Sequence, residues 1–267
     1  MNKLVARRVS ILTTLRCTLK CKLCSNCMTM FENPQDIPLR QILNDIDGVF
    51  ELFDHVIWFQ FVGGEIFLNK DMKDVFEYTL KYLDCMDKLI LMTNATILPT
   101  QEEFEVLSKY GKKIEVLFSD YGNLSYRIED FCSSLRKYEI PYTRKNYHGD
   151  EQYFGGWIDN TKMVDLGETW EELCERTAKC PQVSMMNMLC LNGHLHRCRG
   201  SCIITALGKT VPNDRDYVDL NNNSVSIEVK RDIVRGFYEY PRASCRVCSW
   251  TDTVDENATR YPAAEQL

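Results

Sequence analysis

Apolar and polar positions alternate in regular blocks along the first half of the chain. Short, mostly apolar runs predict β-strands at Val9–Thr14, His55–Val62, Lys88–Thr93, Ile114–Phe118 and Tyr142–Asn146. Apolar residues with helical spacing predict α-helices between them, at Pro38–Phe53, Lys70–Leu83, Thr100–Tyr110 and Ile128–Tyr138. Strands that alternate with helices in this way indicate βα units and a parallel sheet.

The pattern changes after about residue 147. The segment His148–Gly167 has no clear periodicity and is predicted to be a loop. Asn192-Gly193 is a strong hairpin signal between two short apolar runs. The other elements predicted here are a helix at Trp170–Thr177, strands at Met185–Cys190 and Leu195–Cys198, and a helix at Ser226–Phe237. We therefore expect a second, smaller unit, followed by a polar tail.

The composition is that of an ordinary globular protein, with 45% hydrophobic and 26% charged residues in a chain of 267. A net charge of -6 argues against nucleic acid, which usually requires a basic face, although an acidic protein can carry a local basic patch. The start MNKLVARRVS lacks the apolar core of a signal peptide, and no run reaches the roughly 18 apolar residues of a membrane helix. Thirteen cysteines then predict metal binding in a reducing, cytoplasmic setting, with no membrane partner.

One cysteine-rich loop follows the first predicted strand directly. Cys17, Cys21 and Cys24 have a C-x3-C-x2-C spacing, and Cys27 lies three residues further on. Iron–sulfur clusters are held by cysteine thiolates on short loops of this kind. Three ligands would leave one iron of a [4Fe–4S] cube open for a substrate, whereas Cys27 could supply a fourth. The spacing alone leaves both possibilities open.

Polar or glycine-rich motifs follow the next three strands. They are Gly63-Gly64-Glu65, Thr93-Asn94 and Ser119-Asp120-Tyr121. Because chemistry gathers at the carboxyl ends of strands in barrels and open α/β sheets, we expect these motifs and the cysteine loop to form one site.

Together these motifs resemble the radical S-adenosylmethionine (SAM) superfamily. The resemblance rests on Cys17, Cys21 and Cys24, with Gly-Gly-Glu one βα unit later, and covers roughly residues 5–150. It implies a [4Fe–4S] cluster with three cysteine ligands and one iron reserved for the amino and carboxylate groups of SAM. Leu23 departs from the family pattern, in which an aromatic residue usually precedes the third cysteine. Adenine packing is therefore expected to use backbone and a neighbouring side chain.

The resemblance also implies roles for residues at the strand ends. Gly63, Gly64 and Glu65 would face the methionyl amino group of SAM, since glycine allows close backbone approach and the carboxylate accepts from the ammonium. Asn94 and Ser119 are similar to family positions that bind the ribose or the SAM carboxylate. The alternative is that all three motifs are turns that merely end strands.

A second cysteine set comprises Cys180, Cys198, Cys245 and Cys248. The spacing from Cys180 through Gly193 to Cys198, with a distal C-x2-C, resembles the twitch domain, a shortened relative of the SPASM domain. That resemblance implies one auxiliary [4Fe–4S] cluster with four protein ligands. The competing interpretation is a tetrahedral zinc site, in which the C-x2-C pair is completed from His194, His196, Cys198 or Cys202.

The remaining thiols are interpreted mainly as structural. Cys190 and Cys202 could replace a ligand or donate a hydrogen atom, but buried thiols are the simpler interpretation. Cys85, Cys132 and Cys174 fall in helical patterns and are expected in the core.

The resemblance implies an α/β fold, a partial (β/α)6 TIM-like barrel with a small C-terminal β-hairpin and helix domain that binds a cluster. The predicted divisions are a barrel at 1–150, a connecting and substrate loop region at 151–178, the twitch domain at 179–250 and a tail at 251–267.

The implied activity is that of a radical SAM oxidoreductase of the dehydrogenase type. A 5′-deoxyadenosyl radical would take a hydrogen atom from a small polar substrate such as a sugar or aminocyclitol, and the auxiliary cluster would accept an electron. An external one-electron donor such as flavodoxin or ferredoxin is expected. The alternatives are a peptide-modifying enzyme, an epimerase with a cysteine hydrogen donor, and a non-catalytic zinc or iron–sulfur protein.

Substrate contacts are expected from residues near the strand ends and the second cysteine set, with a solvated surface as the alternative for each. They are Asp120, Tyr121, Arg144, Lys145, the Tyr153–Trp157 loop and Arg199. No residue stands out as the catalytic base.

Overall fold

A single eight-stranded sheet organises the protein, in the strand order β5-β4-β3-β2-β1-β6-β7-β8. The computed structural model describes residues 3–153, 157–249, 252 and 255–267. The strands are β1 Val5–Thr14, β2 His55–Gly63, β3 Met86–Thr93, β4 Ile114–Asp120, β5 Tyr142–Asn146, β6 Asn187–Leu191, β7 His194–His196 and β8 Tyr217–Asp219. Strands β1 to β6 pair in parallel, and β7 and β8 are antiparallel.

The α-helices follow the predicted alternation with the first five strands. They are α1 Leu39–Leu52, α2 Met72–Thr79, α3 Gln101–Ser108, α4 Ile128–Lys137, α5 Trp170–Ala178, α6 Pro181–Met185, α7 Arg199–Ala206 and α8 Ile227–Arg235. The βα pattern of the first half is confirmed, and so are the helices α5 and α8. The short elements α6, α7 and β8 were not predicted, because they are only five, eight and three residues long and leave little periodic signal.

Strand β1 is central, since it pairs with β2 on one side and β6 on the other. Val9, Ile11 and Leu12 are completely buried, as expected for a parallel strand covered on both faces. The strand begins four residues earlier than the apolar run. Its first residues include Arg8, whose guanidinium lies 4.4 Å from the ring centroid of Trp58 on β2. A charged residue that packs on an aromatic ring gives no apolar signal in the sequence.

The core lies between the sheet and the helices α1 to α4. Ile42, Ile46 and Val49 form the buried face of α1, as its periodicity predicts. An aromatic group fills the space beneath α2 and α4, with Phe61, Phe76 and Phe131 fully buried. Burial of such side chains contributes about 1.5 to 3 kcal/mol each, so this cluster fixes the helices on the sheet.

One helix begins where it was predicted, and another differs from its predicted length. The prediction at Thr100 is confirmed: it caps α3 in a capping box with Glu103, in which each side chain accepts from the other's backbone N–H. The predicted helix Lys70–Leu83 instead divides into α2 and a 3-10 helix at Leu80–Cys85. At the division, the Thr79 hydroxyl donates to the Val75 carbonyl at 2.7 Å, a contact that often bends helices.

The predicted hairpin at Asn192-Gly193 is confirmed, and both residues have positive φ (50° and 86°) as its tight turn requires. Its second strand was predicted too late. It comprises His194–His196, and Cys198 instead lies at the N-terminus of α7. The apolar Ile203 and Ile204 of that helix are buried, but the helix is too short for its period to stand out.

The sheet is open and mixed, so the expected barrel is not closed. Strand β6, which was expected in a separate C-terminal unit, pairs in parallel with the edge of β1 opposite β2. The hairpin therefore continues the main sheet, and a separate C-terminal domain is not confirmed. The boundaries at 150 and 178 stay predictions, and the boundary at 250–251 lies outside the described residues. No helix in the described part of the chain combines the length and hydrophobicity that crossing a membrane would require.

Candidate functional site

The cysteine loop covers the carboxyl ends of β1 and β2. Arg16, directly before the first cysteine, anchors the loop. Its carbonyl accepts from the Glu65 N–H at 2.9 Å, and its guanidinium pairs with Asp36 at 2.6 Å. Within the loop, the Cys24 N–H donates to the Cys21 carbonyl at 3.3 Å, and the Cys27 N–H donates to the Cys24 carbonyl at 2.8 Å. These turns fold the loop back on itself, and Cys21 and Cys24 lie near enough to Cys17 for their charges to raise its pKa.

The cysteines of this loop suit an iron–sulfur cluster chemically. All thirteen cysteines of the chain are free thiols. Burial raises the pKa of Cys17 to about 12 and that of Cys21 to about 11, and neighbouring thiolates of the motif add to the effect. A bound metal would supply the positive charge that stabilises such thiolates, because metal-coordinating thiols are deprotonated.

Amide donors are directed at two of these sulfurs. The Asn94 Nδ2 lies 3.6 Å from the Cys17 Sγ, and the Gln266 Nε2 lies 3.4 Å from the Cys21 Sγ. Hydrogen bonds to ligand sulfurs are one of the means by which proteins tune iron–sulfur clusters. The donor set and the three cysteines thus fit the group that the sequence predicts.

Glycine is required at both positions of the Gly63-Gly64 pair by the loop packed above it. A Cβ on Gly64 would lie 2.2 Å from the Arg16 carbonyl oxygen and 2.6 Å from the Cys17 Cβ. A Cβ on Gly63 would lie 2.7 Å from the Thr14 carbonyl oxygen. The glycines therefore allow the cysteine loop to approach the end of β2, which is a structural reason for the motif beside the predicted contact with SAM.

The Glu65 side chain is completely buried and joins the ends of β2 and β3. Its carboxylate accepts from the Thr93 hydroxyl at 2.8 and 2.9 Å and from the Asn94 N–H at 2.9 Å. Burial raises its pKa to about 7 despite these donors. In this structure the carboxylate orients Asn94, and a contact with SAM stays a prediction.

Asn94 contacts the cysteine loop directly, whereas Ser119 forms a hydrogen bond within its own turn. Asn94 donates to Thr18 at 3.3 Å as well as to Cys17, and its Oδ1 accepts from Thr96. The Ser119 carbonyl accepts from Ser125 within its own turn, at 3.2 Å. The ligand contacts predicted for both residues remain predictions.

The second cysteine set is assembled from three separate elements. Cys180 and Cys198 precede α6 and α7, and Cys245 and Cys248 lie in and directly after a 3-10 helix at Ala243–Val247. Burial raises the pKa of Cys198 to about 11, with the Cys245 and Cys180 thiolates adding to the increase. Cys180 and Cys245 are therefore near Cys198 in space, although they are far from it in the sequence.

Hydrogen bonds orient this second set as well. The Ser201 N–H donates to the Cys198 Sγ at 3.4 Å, and the Arg242 N–H donates to the Cys245 Sγ at 3.3 Å. Arg176 on α5 donates to the Cys245 carbonyl at 2.7 Å and to the Cys248 carbonyl at 3.2 Å. Backbone donors at two sulfurs fit an iron–sulfur cluster here too.

The residues of the alternative zinc site have other contacts. The His196 Nδ1 lies 3.1 Å from the Ser201 Oγ, and burial lowers the pKa of His196 to about 3. His194 packs on Tyr217, with ring centroids 4.3 Å apart. Across the residues that the structure describes, no three His, Cys, Asp or Glu side chains are arranged around one point as a single metal ion requires. A cubane differs in that each of its ligands binds a different iron.

Arg199 lies between the two cysteine sets. Its guanidinium donates to Ser25 at 3.0 Å and to Asn26 at 3.3 Å, both in the cysteine loop, while its backbone follows Cys198. Burial lowers its pKa, and thiolates from both sets, including those of Cys24 and Cys248, oppose that shift. Arg199 thus follows Cys198 of the second set and also contacts the first loop, which was not foreseen. Its contact with a substrate beside an auxiliary cluster stays a prediction.

Two of the predicted substrate residues form an ion-pair network. Asp120 accepts from Arg144 at 2.6 Å and lies 3.3 Å from His148, and Arg144 also pairs with Glu129 at 2.6 Å. Burial would raise the pKa of Asp120, but these partners and the Gly122 N–H outweigh it, so that the pKa is lowered. This network supports β4 and β5 structurally, and a substrate contact by either residue stays a prediction.

An aromatic wall borders the cysteine loop. Tyr121, Tyr147 and Trp157 contact one another, with ring centroids 5.6 to 6.5 Å apart. Burial raises the pKa of Tyr121, and the Cys21 and Cys24 thiolates contribute to the increase, which places this ring beside the loop. Of the predicted Tyr153–Trp157 loop, residues 154–156 lie outside the described residues, and Lys145 is exposed.

The remaining thiols lie apart from the ligand sets or at their edge. Cys190 and Cys202 are buried near Asp45 of α1, within the core. Cys27 is 2% exposed, and its thiol lies 3.5 Å from the Asn160 carbonyl. Cys132 is buried, as predicted, whereas Cys85 and Cys174 are only partly buried.

Comparison with solved structures identifies the fold. BtrN in complex with AdoMet and 2-DOIA matches with 13% sequence identity and a TM-score of 0.56, over 100% of this chain and 98% of BtrN. Streptococcus suis SuiB bound to S-adenosylmethionine matches with 12% identity and a TM-score of 0.50, over 95% of this chain and 75% of SuiB. The chain has the radical SAM fold.

Other comparisons extend less far. Native anSMEcpe with bound AdoMet matches with 20% identity and a TM-score of 0.42, over 52% of this chain and 43% of anSMEcpe. The chain thus matches less than half of the length of that protein. No protein-family model matches the sequence, and no curated protein does. At these identities the similarity concerns the fold.

Proposed function

We propose that this protein is a radical SAM enzyme that oxidises an alcohol group of a small polar substrate, such as a sugar or an aminocyclitol. One observation carries the proposal: two sets of free cysteines, each with amide donors at its sulfurs, are bridged by Arg199. The first set lies at the carboxyl end of the parallel strands, where α/β sheets bind their ligands.

The ligand assignments follow from this arrangement. Cys17, Cys21 and Cys24 would hold the SAM-binding [4Fe–4S] cluster, and the second set would hold an auxiliary [4Fe–4S] cluster. When bound, these groups and SAM supply the one-electron chemistry that removes a hydrogen atom from an unactivated C–H bond. Asn94 would meet SAM beside Cys17, and the Gly63-Gly64 backbone would line the same side.

The substrate would lie between the two cysteine sets. The aromatic wall of Tyr121, Tyr147 and Trp157 would exclude water from the reacting C–H bond. Arg199 would orient a hydroxyl or an anionic group toward the auxiliary set. The match with BtrN supports this substrate class, because it spans both chains almost completely and that structure contains 2-DOIA. The sequence likewise resembles 2-deoxy-scyllo-inosamine dehydrogenase. An external donor such as flavodoxin or ferredoxin would supply the electron.

Anaerobic reconstitution tests the proposal. We expect about eight iron atoms per chain, as two [4Fe–4S] clusters require, and conversion of SAM to 5′-deoxyadenosine when dithionite is added. A panel of sugars and aminocyclitols should include one that accelerates this cleavage and is converted to a ketone. An iron content of only about four atoms per chain would contradict the proposed auxiliary cluster. A fully loaded protein that never cleaves SAM would be an electron carrier instead.

A radical epimerase is the second candidate, and the position of Cys27 favours it. This thiol is buried at the edge of the cysteine loop and is not needed as a cluster ligand. It could return a hydrogen atom to the substrate. Turnover in D₂O separates the two activities, since an epimerase product retains one solvent deuterium on carbon and a dehydrogenase product is a ketone. Replacement of Cys27 by alanine should abolish only the epimerase activity.

A further inference from the structure

The last residues of the chain pair with the cysteine loop, although the sequence suggested only a polar tail. We define residues 261–267 as the docking segment. Cys21 and Gln266 form an antiparallel bridge. The Lys22 N–H donates to the Glu265 carbonyl at 2.7 Å, and the Leu267 N–H donates to the Lys20 carbonyl at 2.9 Å. The loop that holds the predicted ligands is thus extended by a second strand-like segment.

The Gln266 amide is held at both ends. Its Oε1 accepts from the Lys20 N–H at 2.7 Å, and its Nε2 donates to the Ala264 carbonyl at 2.6 Å and to the Cys21 Sγ at 3.4 Å. The amide therefore cannot rotate without losing bonds on both sides. Although Gln266 is exposed as a residue, its donor is fixed toward the sulfur.

The docking segment also forms hydrogen bonds with residues outside the cysteine loop. The Tyr261 N–H donates to the Trp157 carbonyl at 3.0 Å, and the Ala263 N–H donates to the Gln152 carbonyl at 2.7 Å. Ala264 is 2% exposed and has φ of 56°, a left-handed conformation that alanine adopts only where its surroundings impose it. The Lys22–Glu265 ion pair, at 3.5 Å and half exposed, contributes little by comparison.

We infer that the docking segment is an integral wall of the SAM-cluster site and that Gln266 is a positioning residue for the cluster ligand Cys21. This inference rests on the proposed function, since it takes Cys21 as a ligand. An N–H donor at a ligand sulfur stabilises the more negative, reduced cluster and so raises its reduction potential. Cys21 is only 8% exposed, and the segment that pairs with it would limit access of water, oxygen and chelators.

The test uses the holoenzyme with three variants. Gln266→Leu removes the donor and keeps the backbone pairing, and deletion of residues 264–267 removes both. Glu265→Gln is the matched control, because it removes the Lys22 ion pair and leaves the backbone bonds. Potentiometric titration followed by electron paramagnetic resonance measures the two clusters separately, and iron release to a chelator measures access.

We expect Gln266→Leu to lower the reduction potential of the loop cluster and to leave the auxiliary cluster unchanged. The deletion should lower the same potential and accelerate iron release from the loop cluster several-fold. Glu265→Gln should behave like the unmodified protein. Unchanged potentials and release rates in both Gln266→Leu and the deletion would overturn the inference.

Amide hydrogen exchange separates this inference from the proposed function. In the cluster-free chain, the Lys22 and Leu267 amides should be protected, and the deletion should abolish the protection at Lys22. A chain that binds no iron but shows this protection would refute the proposed function and the role of Gln266 toward a ligand, while docking itself would stand. Rapid exchange of both amides in the unmodified chain would overturn the docking.

Discussion

The two cysteine sets are built in different ways. The first lies within eight residues of one loop, and its geometry depends on turns such as the Cys27-to-Cys24 hydrogen bond at 2.8 Å. The second draws Cys180, Cys198 and the Cys245–Cys248 pair from segments up to 68 residues apart in numbering (180 to 248). Its geometry depends on contacts across the fold, such as those of Arg176.

This difference predicts which substitutions should disrupt each set. A local loop keeps its cysteines near one another in sequence, so it should be lost mainly by changes to these cysteines, to the surface beneath them or to the docking segment paired with them. The second set, which is assembled from distant segments, should be sensitive to substitution of any residue that holds those segments together. The four predictions below test this contrast.

The largest effect is expected from removal of one ligand in each set. Cys21→Ala should abolish reductive cleavage of SAM, whereas Cys198→Ala should abolish oxidation of the substrate and retain the cleavage. Each variant should lose about four of about eight iron atoms. The measurements are iron content and 5′-deoxyadenosine formation under dithionite. Complete loss of cleavage in Cys198→Ala would show that the two sets act as one unit rather than as separable sites.

The next effect concerns the surface beneath the first loop. Gly64→Ala places a Cβ 2.2 Å from the Arg16 carbonyl oxygen, and backbone on both sides must move. We expect a loss of about 3 kcal/mol in the free energy of unfolding, since overpacking against backbone is costly. Urea denaturation of the cluster-free protein measures it. Gly236→Ala is the control: its added Cβ would lie 3.6 Å from Glu239, and its stability should stay within about 0.5 kcal/mol.

Asp45 of helix α1 is buried beside Cys190 and Gly193 of the hairpin, and its ionisation there should destabilise the fold. Burial raises its pKa from 3.8 to about 6, although Gln41 donates to it at 2.7 Å. The protonated form stabilises the fold fully below pH 3.8, and this contribution is lost as the pH rises through about 6. At about 1.4 kcal/mol per pKa unit, the stability should fall by about 2 to 3 kcal/mol across this window.

Denaturation of the cluster-free protein at several pH values measures this dependence. Asp45→Asn should remove the decline between pH 3.8 and about 6. Asp47→Asn on the same helix is the matched control. Burial opposes ionisation of Asp47, but bonds from Tyr78, Tyr82 and Lys81 outweigh it and lower its pKa, so its variant should lose stability at neutral pH. An unchanged pH profile in Asp45→Asn would contradict the assignment.

The smallest effect is expected at Arg176, which supports the second set. Its guanidinium pairs with Glu168 at 2.6 Å and holds the carbonyls of Cys245 and Cys248. Arg176→Gln should lower stability by about 1 to 2 kcal/mol, because partly buried hydrogen bonds from a charged group are lost. It should also reduce occupancy of the auxiliary cluster and leave the loop cluster intact. Arg235→Gln, which removes an exposed pair with Asp232, should change neither quantity. Equal loss of both clusters in Arg176→Gln would remove the contrast between the sets.

The sequence by itself determined the features that are local. Apolar periodicity predicted the strands β1 to β5 and the helices between them, and spacing singled out the cysteines of the loop, because each signal is contained within a short stretch of chain. Capping at Thr100 and the Asn192-Gly193 turn were predictable for the same reason. The sequence also singled out Gly63 and Gly64 as a motif, but it did not show that a side chain at either position would clash with the cysteine loop or with β1.

The tertiary structure decided what depends on distant partners. Strand β6 could pair with β5 or with β1, and its sequence is apolar enough for either edge; packing selected β1. The position of Arg199 between the two sets and the contact of Gln266 with Cys21 span 173 and 245 residues of sequence, respectively. Polar side chains such as these carry no periodic signal, because their role is set by the elements that the fold brings beside them.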